Sequence, residues 1–160
     1  MKLIHSSHQC RIVAPDSNLS AGDWLASMCD QSWRTLIDLR NWPMWIPGVT
    51  SAQQLGQESP ARGTRLQLDW RRMESRGTID HWEPPRGLCF STEAAGGEIA
   101  FGFTIRENAE KSELLITIEL ERSLYGPMRL FAAILRWRLR RLGLVLAANL
   151  ASRIRPSHVS

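Results

Sequence analysis

No apolar run in this sequence reaches the length of a membrane span. The longest, LGLVLAANLA from Leu142 to Ala151, is about half what a bilayer-crossing helix needs. The opening stretch MKLIHSSHQC has one lysine but no apolar segment of signal-peptide length. Cysteine is scarce: Cys10, Cys29 and Cys89 are odd in number and show no CxxC spacing, which argues against a disulfide framework and for a reducing compartment. The expected location is therefore cytoplasmic. Metal-ligand spacing is also lacking, since His5 and His8 fall on opposite sides of a strand, and neither a metal nor a cofactor is expected. There is no G-x-S-x-G elbow, glycine-rich phosphate loop or dinucleotide fingerprint, and AAGGE reads as a hairpin turn. Acidic residues are missing from the last quarter of the chain. From Arg122 to Ser160 there are eight arginines and no Asp or Glu.

What is present suits one globular domain spanning 1–160: 160 residues, 43% hydrophobic and 22% charged. Turn signals at PG (47), PARG (60), SRG (75), EPPRG (83), AAGG (94), ENAEKSE (107) and YGP (125) divide the chain into short runs. HQCRIVA, SAQQLGQ, TRLQLDWRRM, GTIDHWE, LCFSTEA, EIAFGFTIR and ELLITIELER are rich in β-formers or alternate with period two, which predicts seven strands. Short connections make them antiparallel. Before them, Ser20 and Asp23 have capping-box spacing at the head of a helix, and Pro43 is read as its stop. NWPMWIPGV (Asn41–Val49) then forms a rigid corner with two tryptophans three residues apart. Trp45 is expected to be the more buried. A final helix from about Gly126 to Arg153 would be roughly 40 Å long.

The order of these segments, with RIVAP before a helix, LIDLRNWPMWIPGV, the G-T-R-L strand opening, IDHWEPPRGLCF and an amphipathic terminal helix, resembles the START-like or SRPBCC superfamily. That superfamily includes proteins labelled polyketide cyclase/dehydrase. The resemblance implies an α+β helix-grip fold: a curved seven-stranded antiparallel sheet, two short N-terminal helices or one interrupted helix, and a long C-terminal helix over the concave face. It further implies binding of a hydrophobic small molecule between sheet and helix.

Alternation supplies the lining residues for such a cavity. Leu66, Leu68 and Trp70 share one strand face, as do Phe101 and Phe103, while Phe131, Leu135, Leu139 and Leu142 fall on one arc of the last helix. With Trp45, Trp82 and Phe90 they form the candidate ligand-binding set. Three functions remain open. The first is binding or carriage of a hydrophobic molecule, aromatic and isoprenoid-like ones included. The second is a cyclase or dehydratase in which Asp80, His81 or Glu83 moves a proton. In a regular strand His81 and Glu83 share one face and Asp80 and Trp82 the other; alternation does not say which faces inward. The third is an interaction role for the last helix, where Leu130, Trp137 and Leu144 recur every seven residues beside Arg136, Arg140 and Arg141. That face would meet an anionic membrane or a second subunit. The arginines come with no nucleic-acid recognition motif, so nucleic acid is not an expected partner.

Overall fold

The first two strands occupy opposite edges of a single sheet, and this placement dictates the path of everything between them. The computed structural model describes residues 1–14, 20–71, 73–94 and 96–154. Its elements are β1 (Lys2–Val13), α1 (Ala21–Ile37), a 3-10 turn (Leu39–Asn41), α2 (Trp42–Trp45), β2 (Val49–Leu55), β3 (Arg65–Trp70), β4 (Met73–Glu83), β5 (Gly87–Ala94), β6 (Gly97–Asn108), β7 (Glu113–Leu124), a second 3-10 segment (Gly126–Phe131) and α3 (Ala132–Ile154). The strand order is β1-β7-β6-β5-β4-β3-β2, and every pairing is antiparallel. The chain between β1 and β2 must therefore cross the sheet from edge to edge. Neighbouring strands lie about 4.8 Å apart, so seven strands span about 30 Å, which is within reach of α1 and α2 together.

Strands β3, β6 and β7 follow the expected alternation. Leu66 and Leu68 on β3, Ile99, Phe101, Phe103 and Ile105 on β6, and Leu114, Ile116, Ile118 and Leu120 on β7 are all buried on the inner face. Each such Leu, Ile or Phe contributes roughly 1.5–3 kcal/mol by leaving water. SRG at 75, read from sequence as a turn, lies inside β4. The turn falls instead between Trp70 and Met73, where Arg71 adopts a left-handed φ of 48°. Ser75 is tolerated within the strand because its hydroxyl is paired with that of Thr92 at 2.6 Å and donates to the Glu93 carbonyl.

Helix boundaries bring two further corrections. Ser20 caps α1 as expected, accepting from the Asp23 amide. The helix ends at Ile37, however, before Pro43 is reached. Pro43 sits in the first turn of α2, where its missing N–H needs no partner, so it starts a helix rather than stopping one. At the other end, Gly126–Phe131 is 3-10 rather than α-helical, and α3 begins only at Ala132. The tighter winding shifts the phase of the wheel. Phe131, placed inward by sequence, is 52% exposed, and Ala132 takes the inward position. The 23 residues of α3 extend about 35 Å.

The helix approaches the sheet most closely at its β1 edge. A Cβ on Gly143 would lie 2.1 Å from His8 Cδ2, so only glycine lets the backbone of α3 come down onto that imidazole. No helix among the described residues is long and apolar enough to cross a membrane.

Candidate functional site

The inner face of the sheet is organised in rows. Ser6, Leu120, Phe101, Phe90 and Ile79 are successive cross-strand partners from β1 to β4, and His8, Ile118, Phe103, Leu88 and Trp82 form a second row. Onto these rows the corner at α2 sets two indoles. Trp42 stacks on Phe90 with centroids 4.4 Å apart, Phe90 stacks on Phe101 at 4.8 Å, and Trp70 adjoins Phe101 at 5.8 Å. Trp45 meets Phe103 edge-on at 5.6 Å. These rings fill the space between sheet and helices. The expectation that Trp45 would be the more buried tryptophan of the corner does not hold, since both are 1% exposed. The one-turn helix gives each a place on the same sheet face.

The corner is fastened by polar contacts of unequal completeness. Trp42 Nε1 donates to the Leu36 carbonyl at 2.8 Å. Leu36 is in the last turn of α1, where carbonyls lack an intrahelical partner, so the indole acts as a cap. Asn149 on α3 donates to the Trp45 carbonyl at 3.3 Å. Gly48, with φ +92°, turns the chain into β2, and a Cβ there would stand 3.1 Å from both Trp70 Nε1 and Arg71 Nε. By contrast, Trp45 Nε1, Trp24 Nε1 and Ser32 Oγ are buried with no hydrogen-bond partner among the described residues. Leaving such a group unmade costs about 1–3 kcal/mol.

Trp45 also floors a cleft of about 280 Å³ bounded by Gln31, Arg34, Thr35, Asp38, Asn41, Met44 and Arg153. This opening joins α1, the corner and the end of α3. A second, larger cleft of about 570 Å³ lies over β3–β6, among Arg65, Gln67, Glu74, Arg76, Thr78, Ser91, Glu93 and Glu98. Its charged side chains belong to the face of the sheet away from α3.

Solved structures match this arrangement over almost its whole length. An aromatase/cyclase named Zhui from Streptomyces sp. R1128 superimposes with a TM-score of 0.69 at 12% identity, covering 96% of this chain and 95% of that one. A hypothetical protein of Helicobacter pylori gives 0.68 at 13% identity, over 96% and 88%. A START superfamily protein from Mycobacterium smegmatis gives 0.54 at 16% identity, over 94% and 96%. The chain has the START-like, helix-grip fold. No family model matches the sequence, and no curated protein matches it.

Within the START-like fold the sequence-derived residues separate into groups. Trp45, Leu66, Leu68, Phe90, Phe101, Phe103, Leu135 and Leu139 are buried between sheet and helices, and Trp70, Trp82 and Leu142 are half-buried against the same core. Phe131 stands outside it. Asp80, His81 and Glu83 are exposed. The β4–β5 register shifts between Ile79 and His81, so the alternation is interrupted at Asp80. Beyond the bulge, Trp82 turns inward onto Trp33, with centroids 5.1 Å apart, while His81 Nε2 and Glu83 Oε2 meet outside at 3.3 Å. None of the three lines either cleft.

Cysteine offers no activated nucleophile here. Burial, and then the carboxylates of Asp80, Glu121 and Glu119, push the Cys89 thiol up to about 11, and burial raises Cys10 and Cys29 as well. All three are free. Among the described residues no cluster of three or more His, Cys, Asp or Glu could hold a metal ion.

Sequence reasoning did not select Trp42, Ser32 or His8. Trp42 was legible as half of the tryptophan pair, but its contact with Phe90 depends on sheet curvature. His8 carried one indirect sign, the isolated Gly143 inside an apolar helix.

Proposed function

We propose that this chain binds a small hydrophobic molecule carrying a hydrogen-bond acceptor, and that the ligand enters through the cleft floored by Trp45. One observation carries the reading: Trp45 Nε1 is a buried, unpartnered donor on the residue that separates this cleft from the aromatic interior. A ligand carbonyl or hydroxyl taken up by that N–H would recover the hydrogen bond, and its apolar body would gain roughly 25 cal/mol per Å² buried against Phe103 and its neighbours. The Trp45 ring moves aside in this reading, and the turn at Gly48 supplies the hinge. Three of the structures sharing the fold are named aromatase/cyclase or ARO/CYC, which supports a flat, oxygenated molecule as the ligand type. Binding is favoured over catalysis because Asp80, His81 and Glu83 face solvent on the far side of the sheet. The free, unactivated thiols suit a reducing compartment such as the cytoplasm.

The test is extraction and native mass spectrometry of the purified protein, followed by titration with a fluorescent naphthol read through tryptophan quenching. Saturable binding that weakens about 5- to 100-fold in Trp45→Phe supports the reading, because that change removes the donor and keeps a ring. Absence of both a copurifying species and a saturable signal, or equal affinity in Trp45→Phe, overturns it.

A further inference from the structure

The side of α3 turned away from the sheet carries an apolar crest that the rest of the fold does not cover. Trp137 is 59% exposed and Leu144 62%, Ile134 and Val145 are exposed beside them, and Leu130 of the preceding 3-10 segment is 85% exposed. Six of the seven tryptophans pack in or against the core, and Trp137 alone stands in solvent. At roughly 100° per residue, Ile134, Trp137, Leu144 and Val145 occupy an arc of about 100° opposite the buried Leu135, Leu139 and Leu146. Arg138 borders this arc on one side and Arg140 on the other, with Arg136 exposed further round behind Arg140. Arg141 lies within the arc, its guanidinium 5.7 Å from the centre of the Trp137 ring.

We infer that this face docks on the surface of an anionic lipid bilayer, with α3 lying in the plane of the headgroups. An apolar arc flanked on both sides by arginines has the cross-section of a helix at a membrane interface, where apolar side chains enter the acyl boundary and cations meet lipid phosphates. Tryptophan is the side chain that favours this depth. Charge decides the occupant. No acid follows Glu121 in the chain, so nothing on α3 neutralises its arginines. A second copy of the same face would set like-charged rows against each other. A nucleic acid would satisfy the arginines but leave the apolar crest against phosphates, with no gain from burying it. A bilayer of anionic lipid satisfies both. This inference is independent of the ligand proposed above, since no residue of the crest lines the cleft at Trp45.

The experiment is co-sedimentation of the full chain with two sets of vesicles, pure phosphatidylcholine and phosphatidylcholine with about 30 mol% phosphatidylserine. Preferential binding to the anionic vesicles, lost in high salt, is expected. Trp137→Glu with Leu144→Glu should reduce it more than tenfold through the apolar term. Arg136, Arg140 and Arg141 changed together to Gln should reduce it on the order of a hundredfold, at about 1 kcal/mol per cation. All five side chains are exposed, and a far-UV spectrum and melting temperature matching the parent confirm the fold of each variant. Equal binding to both vesicle types, no binding to either, or binding untouched by these changes overturns the proposal. So does a dimer without lipid that Trp137→Glu dissociates, or a preference for duplex DNA over anionic vesicles.

Discussion

The two tryptophans of the corner are equally buried, yet replacing each by phenylalanine should have different consequences. Trp42→Phe shrinks a ring stacked on Phe90, at about 1 kcal/mol, and strands the Leu36 carbonyl at the end of α1, at about 1–3 kcal/mol more. The expected loss is about 2–4 kcal/mol. Trp45→Phe shrinks a ring of the same size against Phe103, but the N–H it removes had no partner. Deleting an unmade donor returns about 1–3 kcal/mol against about 1 kcal/mol of lost packing, so this variant should be unchanged in stability or up to about 2 kcal/mol more stable. The gap is therefore at least about 2 kcal/mol, which corresponds to roughly thirtyfold or more in the folding equilibrium and to at least about 4–8 °C in Tm for a domain of this size. Urea denaturation followed by far-UV circular dichroism, at constant m-value, measures it directly. Equal losses, or a larger loss in Trp45→Phe, would refute the assignment of Trp45 Nε1 as unpartnered, and with it the observation on which the proposed ligand site stands. Unchanged or raised stability combined with lost ligand affinity in Trp45→Phe would mark that residue as retained for binding rather than for folding.

The contact between β1 and α3 yields two further expectations. Gly143→Ala drives a methyl into His8 and should destabilise by about 1–3 kcal/mol, with much of the loss restored in the double variant with His8→Ala, as a double-mutant cycle in urea would report. His8 also makes stability pH-dependent. Burial first, and then Arg140, hold its pKa below the ordinary 6.5, so the unfolded chain takes up a proton at a higher pH than the folded one. The stability associated with neutral His8 is therefore complete above about pH 6.5 and declines as pH falls from there towards the depressed value. Melting temperatures between pH 7.5 and 5.5, with both limits approximate, should fall in the parent and fall less in His8→Gln; parallel curves would sink this account.

Local patterns carried most of the architecture. Period-two alternation in RLQLDW, EIAFGFTIR and ELLITIELER specifies which side chains turn inward, because strand geometry leaves only two faces. Ser20 marks the start of α1 because an exposed helix terminus needs a side-chain acceptor. The basic, apolar-striped outer face of α3 was likewise legible, since charge and heptad spacing are properties of the chain itself. Where alternation broke, sequence reasoning lost the register: the bulge at Asp80 releases His81 and Glu83 to solvent, and the 3-10 segment before Ala132 rotates Phe131 outward.

By itself, then, the sequence determined seven antiparallel strands, a capped helix after the first of them, a tryptophan corner and a basic final helix, because each follows from spacing between near neighbours. Tertiary structure alone decided that the two corner indoles fill the interior side by side. It also decided that Trp42 finds an acceptor while Trp45 does not, and that His8 lies beneath Gly143. These facts depend on distances between residues remote in the chain, set by the curvature of the sheet and the close approach of α3, and no local pattern encodes them.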